Sequence, residues 1–343
     1  MHARLAAIAT ASPSHLIDRS AAEEVGRHLF GADLERLGPV HANAGIDRRA
    51  ACVSVEWLTR PHGWAERSRL FADHSVALGR QAGLACLDRA GRRSREVDAV
   101  VAVSTTGVAT PSLDALLIEP LGLRPDVLRL PIFGLGCAGG ALGLARAAAL
   151  AKAMPGAHVL LVVVELCTLT FRPEDRSPAN VVATALFGDG AAAALLSTDA
   201  DGPAISAWGE HTWPDSLDIM GWRITDDGFG VLFSRDIPSL VARELRPVAE
   251  RWLAGLGLAR RDVGAWACHP GGAKVVAALE ETLALPPGSL DVERAVLRDH
   301  GNMSAATLLY VLERRLARPL PARMAALALG PGFTAGFVML EAP

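Results

Sequence analysis

The sequence predicts an α/β protein whose plan is laid down twice, on three observations. Apolar runs of strand length alternate with longer helical segments, the alternation that marks a largely parallel sheet with helices packed on it. The plan starts afresh near Pro203, so residues 1–202 and 203–343 read as two copies of one architecture. One helical segment, Ala138 to Ala153, is apolar nearly all round, with Arg146 and Lys152 its only charges. Such a helix is covered on every side, which places it between two sheets.

The opening "MHARLAAIATASPSHLI" carries one Arg in a short apolar run that Thr10, Ser12 and Pro13 interrupt, so it reads as a first strand rather than a signal peptide. "VDAVVAVSTTG" supplies a strand, Leu113 to Leu121 a helix, and "LRLPIFGLG" a second strand that ends at the Ala-rich helix. "AHVLLVVVELC" follows as a third; its apolar run contains Glu165 and falls short of a membrane span. In the second half "GAWACHP" is a strand, Ala273 to Leu285 a helix, "NMSAATLLYVLERRLA" a helix opened by Asn302, and "MAALALGPG" and "TAGFVMLE" the closing strands. Cys137 and Asn302, each at a helix start, are 165 positions apart, close to half the chain. A twofold repeat would bring those two helix ends to one central site.

Half the residues are hydrophobic and 21% are charged, which supplies ample core material and little reason for disorder. The net charge of -3 and the lack of a basic run argue against nucleic acid as a partner. Five cysteines without C-x-x-C spacing indicate reduced thiols and a cytoplasmic setting, four of them serving only to pack.

Cys137 is the exception. At the first turn of a buried helix a thiol meets the positive end of the helix dipole and free N–H groups, which favour thiolate. Glycines on both sides (Gly134, Gly136, Gly139, Gly140) let the chain turn sharply and let a carbonyl substrate approach. His269 ends an apolar strand before Gly271 and Gly272, and Asn302 follows Gly301. Taken singly, each is a packing or capping residue; three such residues, each beside glycine at the end of a buried element, point to chemistry. Papain-like proteases use Cys, His and Asn, but their local cysteine signature is missing around GCAGG. Decarboxylative Claisen condensation uses the same trio: the thiolate takes an acyl group, and two N–H donors hold the enolate oxygen left when carbon dioxide departs.

GLGCAGG at Cys137, ALFGDGAAA at Ala185 to Ala193, HPGG at His269, GNMSAAT at Gly301 and GPGFTAG at Gly330 together resemble the type III polyketide synthases, the chalcone-synthase-like branch of the thiolase-fold enzymes. The resemblance runs nearly end to end. It implies a five-layer αβαβα fold, a homodimer, and a buried cavity reached by a tunnel for the pantetheine arm of CoA. It also implies that Cys137 is the acylated nucleophile, that His269 and Asn302 are the decarboxylation and oxyanion pair, and that Phe187 is a gate between tunnel and cavity. Thr105, Glu165 and Ser304 match a polar trio that can place a water and steer ring closure, and Cys167 and Thr170 match cavity-lining positions.

Of three basic positions that grip CoA phosphates in plant members, only Arg36 matches, with Pro39 and Asn43 at the others. The backbone N–H groups of Gly271 and Gly272, other surface arginines, or delivery of the starter on an acyl carrier protein are the alternatives. Gly336 stands where an acidic residue is common, and Thr110 where plant members send a Met across the dimer interface. "WPDSLDIMGWRITDDGFGVLFSRDIP" is most similar to bacterial alkylresorcinol and alkylpyrone synthases. The expected reaction is therefore loading of a fatty acyl-CoA, extension by malonyl-CoA and closure to a pyrone or phenol, with no metal or redox cofactor. A single-condensation ketoacyl synthase and an inactive assembly subunit are the competing readings; HPGG and the complete trio weigh against them.

Overall fold

Strand order in the computed structural model, which describes residues 2–343, repeats between the two halves. The strands are β1 (Ala3–Ala11), β2 (His15–Asp18), β3 (Arg48–Ala51), β4 (Ala99–Ser104), β5 (Leu128–Phe133), β6 (Val159–Leu166) and β7 (Asp189–Ser197) in the first half. The second half holds β8 (Ala204–Thr212), β9 (Met220–Thr225), β10 (Gly228–Phe233), β11 (Ala265–Cys268), β12 (Arg323–Gly330) and β13 (Thr334–Glu341). Nine of them form one sheet in the order β11-β12-β13-β8-β1-β7-β6-β4-β5, while β2 pairs with β3 and β9 with β10. From β1 outward the first half runs β1-β7-β6-β4, and from β8 outward the second runs β8-β13-β12-β11, with the same sense at each step. The halves join where β1 and β8 pair over Ala3–Ile205 and Arg4–Ala204.

The expected largely parallel sheet is instead mixed. β4 lies parallel to β5 and β6, and β11 to β12, but β7 and β13 run antiparallel to both neighbours. For β13 the reason is connection length: three residues separate β12 from β13, and a link that short closes only an antiparallel pair; β7, reached from β6 by a helical connection, takes the matching place in the first half.

Side chains alternate along the fully buried strands and so divide the interior into three cores. On β6, Leu160, Val162 and Val164 face the outer core under helices Trp64–Arg89 and Leu113–Leu121, while Val159, Leu161 and Val163 face inward. On β12, Met324, Ala326 and Ala328 face inward, and Ala325, Leu327 and Leu329 meet the far outer core with helices Arg246–Gly255 and Ala273–Thr282. Between the two sheet halves lie helices Gly139–Ala153 and Ala306–Leu316, which pack on each other and on strands of both halves. This gives the five layers, helix-sheet-helix-sheet-helix.

Ten of the fifteen residues of Gly139–Ala153 are buried, which is why that sequence has no polar face. Gly336 fits the same packing: a Cβ there would sit 2.9 Å from Leu142 of this helix, so no acidic side chain has room. All five cysteines are free and buried. No helix among the described residues is long and apolar enough to cross a membrane.

Candidate active site

Cys137 sits in the middle of a tight 3-10 turn, Gly136–Ala138, that leads straight into helix Gly139–Ala153. Two glycines make the turn possible. Gly136 has φ +46°, and a Cβ there would meet Pro331 at 2.5 Å; a Cβ on Gly330 would lie 2.6 Å from the Leu135 carbonyl and the Ala138 N–H. The end of β12 therefore presses directly against the backbone that presents the thiol.

Asn302 arrives from the other half, but not at a helix start as the sequence suggests. The helix begins at Ala306, and Ser304 at φ +48° breaks the chain before it. Asn302 instead forms a one-residue parallel bridge with Phe187, its N–H donating to the Leu186 carbonyl at 2.9 Å and its carbonyl accepting from Gly188 at 3.0 Å. Its carboxamide is held at both ends: Oδ1 accepts from the Ser304 N–H at 2.8 Å, and Nδ2 donates to the Gly271 carbonyl at 3.1 Å. One amide hydrogen remains for the cavity. The Cys137 Sγ lies 4.0 Å from Asn302 Oδ1 and 3.9 Å from Ser304 Oγ.

His269 follows β11, with its N–H on the Leu327 carbonyl at 2.8 Å. Neither ring nitrogen has a partner, and burial alone pulls the imidazole down to about 3, so it is neutral. Cys137, His269 and Asn302 all line one apolar cavity of about 20 Å³, together with Met220, Phe233 and Leu329.

Around this centre the expected residues separate into groups. Thr105, Cys167, Phe187 and Ser304 line a second cavity at Cys137, of about 40 Å³, with Trp222 and Pro331. Glu165 is fully buried behind them, accepting from the Thr105 N–H at 3.0 Å, the Thr106 hydroxyl at 2.9 Å and the Ser304 hydroxyl at 3.4 Å. Burial pushes its carboxyl up to about 7 against those donors. Thr105 Oγ1 also accepts from the Gly136 N–H at 2.9 Å, tying Glu165 to the nucleophile turn.

Thr170 does not reach either Cys137 cavity. Its hydroxyl turns back onto the Cys167 carbonyl at 2.7 Å, and the residue lines a separate small cavity with Trp64 and Phe229.

Burial works against the expected thiolate. Burial pushes the Cys137 thiol up to about 12; the Ser304 contact opposes this, and the Glu165 charge adds to it. A short turn near a helix end does not outweigh complete removal from water.

A large cavity of about 610 Å³ lies on the outer side of Phe233. Arg36, Asn43, Gly271 and Gly272 line it; Pro39 does not. Arg36 is exposed and paired with Asp33 at 3.3 Å. The Gly271 N–H is not free for a phosphate, since it donates to the His269 carbonyl at 3.1 Å.

Sequence reasoning missed Arg235 and Lys274 in this wall, and Met220, Trp222 and Phe233 around Cys137. Lys274, two residues beyond the second Gly of HPGG, carried a positional signal; the hairpin residues carried none. The large cavity and the 20 Å³ chamber share Phe233, Ile237, Gly271 and Val275 in their walls.

A duplicated five-layer fold that brings a buried cysteine from one half against a histidine and an asparagine from the other defines a thiolase-fold condensing enzyme. Family models agree on its branch: the N-terminal domain of chalcone and stilbene synthases matches residues 61–200, and the C-terminal domain matches 206–342. The chain belongs to the chalcone and stilbene synthase family, the type III polyketide synthases, which are acyltransferases.

It is 40% identical to 1,3,6,8-tetrahydroxynaphthalene synthase of Streptomyces peucetius subsp. caesius, over 98% of this chain and 92% of the relative. It is 32% identical to 3,5-dihydroxyphenylacetyl-CoA synthase of Amycolatopsis balhimycina, over 89% and 85%. The crystal structure of 1,3,6,8-tetrahydroxynaphthalene synthase from Streptomyces coelicolor A3(2) matches with a TM-score of 0.94 and 26% identity, covering 99% of both chains.

Proposed function

We propose that this enzyme loads an acyl group from a CoA thioester onto Cys137, extends it repeatedly with malonyl-CoA and closes the product to a ring. The observation that carries the reading is the shared wall between the 610 Å³ cavity and the chamber lined by Cys137, His269 and Asn302. A pantetheine arm entering past Phe233 delivers its thioester to the sulfur. In the resting pair the thiol is protonated and the imidazole neutral, so the thiol proton passes by way of His269 to the departing CoA sulfur as the new thioester forms. The extender then loses carbon dioxide, and its enolate oxygen is held by the free Asn302 N–H and a His269 N–H. The enolate carbon attacks the acyl carbonyl, releasing the sulfur for another round. Thr105, Glu165 and Ser304 hold a water at the same place, and Phe187, which packs edge-on to Phe233 at 6.3 Å, gates the passage.

No metal or redox cofactor has a role in these steps. Arg36, Arg235 and Lys274 are the cations available to the phosphates of CoA or of an acyl carrier protein. A second copy of the chain is the expected partner of β5, an exposed edge strand that presents Leu128, Leu130 and Phe133 to solvent.

A fatty acyl starter closing to an alkylpyrone or resorcinol is one finer reading. The second, a short starter closing to a polyhydroxylated aromatic of the kind for which the two relatives are named, is favoured by the tight space at Cys137. Cavities of 20 and 40 Å³ hold only a few water-sized groups.

Radiolabelled malonyl-CoA offered with acyl-CoAs of two to sixteen carbons, with products read by mass spectrometry, tests the proposal. Ring products support it, and their yield against starter length separates the two readings. Single-condensation products would favour a ketoacyl synthase, and no turnover with any thioester an assembly role.

A further inference from the structure

Arg49, the second residue of β3, is only 6% exposed, yet its Nη1 has no hydrogen-bond partner. Buried charges are ordinarily paired, because leaving water without compensation is costly. The carboxylate that acts on it, Asp189, does so only through space. Asp189 Oδ1 accepts from the Thr168 N–H at 2.8 Å, and Oδ2 accepts from the Cys52 N–H at 2.8 Å and the Thr168 hydroxyl at 2.5 Å. His41, close enough to feel the guanidinium, is held near 4 by its own burial and brings no charge at neutral pH. Burial draws Arg49 down to about 10, which still leaves it cationic.

The side chain lines a cavity of about 40 Å³ whose other walls include Ile17, Val25, Leu58 and Phe171. Cys167 and Phe187 stand in this wall and in the wall of the Cys137 cavity as well. A chain growing from Cys137 past those two residues therefore meets an unpaired cation in apolar surroundings. A methyl-ended chain offers that cation nothing, whereas a pair of oxygens sharing a negative charge matches the planar fork of a guanidinium.

We infer that Arg49 is a binding residue for an anionic oxygen pair at the far end of the acyl chain carried on Cys137. The pair is either the carboxylate of a dicarboxylic starter or the enolate of a 1,3-diketone in the growing chain, its acidic C–H proton given up to solvent. The inference rests on the acyl-cysteine chemistry proposed above and adds to it a charge requirement on the cargo.

The test compares succinyl-CoA with butyryl-CoA, four-carbon starters that differ in the terminal carboxylate, each with malonyl-CoA as extender. The ratio of their kcat/KM values and the length of the butyryl-primed products are read in wild type, Arg49→Met and Arg49→Lys. A ratio cancels a general loss of folded enzyme. A wild-type ratio of about 10 or more that collapses toward 1 in R49M, with R49K between, assigns the carboxylate. A wild-type ratio near 1 with butyryl-primed products that shorten in R49M or R49K assigns the diketone. A high ratio unchanged in both variants, or a ratio near 1 with product length unchanged in both, overturns the inference while leaving the condensation chemistry standing. No turnover with either starter in wild type removes both.

Discussion

The Asn302 carboxamide donates to the Gly271 carbonyl at 3.1 Å while its oxygen accepts from the Ser304 N–H. That pairing fixes which end of the amide is nitrogen and leaves its second N–H unspent. Asn302→Asp keeps the shape but replaces the donor with an oxygen facing the Gly271 carbonyl. Release of labelled carbon dioxide from malonyl-CoA should fall about 100- to 1000-fold, the usual loss when an oxyanion donor is removed. Cys137→Ala should instead abolish chain extension and spare slow decarboxylation. An N302D enzyme that decarboxylates within twofold of wild type would remove Asn302 from the donor role.

Thiol reactivity follows from the same chamber. With Cys137 pushed up to about 12, iodoacetamide labelling at this position should be slow at pH 7 and climb through the alkaline range. Glu165→Gln can keep the hydrogen bonds from Thr105 and Thr106 and removes the charge that opposes thiolate formation, so its labelling profile should move to lower pH. Peptide mapping after labelling at stepped pH reads this at Cys137 alone. A profile midpoint at or below about 8.5 in wild type would mean that burial does not hold the sulfur protonated.

How much of this is legible in the sequence depends on how local the cause is. The positions of Cys137, His269 and Asn302 can be read because each ends an apolar run beside glycine, and the strands because their cores are continuous Val, Leu and Ala. Strand sense cannot be read from such runs, since a strand buried on both faces looks the same in either direction; β7 is the instance, whereas the three-residue link ahead of β13 does show its sense. The helix start at Asn302 is misread because NMSAAT has helical composition, while the left-handed Ser304 that interrupts it carries no marker. Trp222 is invisible to any local pattern: its indole N–H donates to the Thr105 carbonyl at 2.9 Å, across 117 positions. The force that opposes the thiolate is hidden for a related reason, because the helix end is visible in sequence and the depth of burial is not.

The turn that presents the sulfur should tolerate no side chain at its two contact glycines. At Gly136 an added Cβ strikes Pro331 in a left-handed conformation, and at Gly330 it strikes backbone atoms on both sides of Cys137. Gly136→Ala is expected to lose about 1–3 kcal/mol from strain alone, measured by urea unfolding. Gly330→Ala can relieve its clash only by moving the Leu135–Ala138 backbone, so activity should fall further than stability does. Gly134→Ala serves as the control: it has no neighbour within 4 Å of its Cβ, although its φ of +90° carries strain of its own. Equal losses of activity at 134 and 330 would dissociate the contact from presentation of the sulfur.

Three histidines that fold in neutral each weaken the fold in acid. Burial lowers His269 to about 3 and His41 and His300 to about 4, against 6.5 when exposed. A folded-state value below the unfolded one means that the unfolded chain binds more protons as the pH drops. The stability these groups contribute is therefore complete above about 6.5 and is lost progressively as pH falls toward 3 to 4. Thermal midpoints should decline across that window. His269→Gln removes the most deeply buried of the three proton acceptors, so its decline between pH 6.5 and 4 should be shallower than that of wild type, whatever its midpoint at pH 7. Buried carboxylates work in the opposite direction: burial raises Glu165 to about 7, so its contribution is lost as pH rises through that value rather than as it falls. A Glu165→Gln variant should accordingly gain most relative to wild type above pH 7, and parallel slopes for wild type and H269Q below pH 6.5 would mean that His269 is charged in the folded chain.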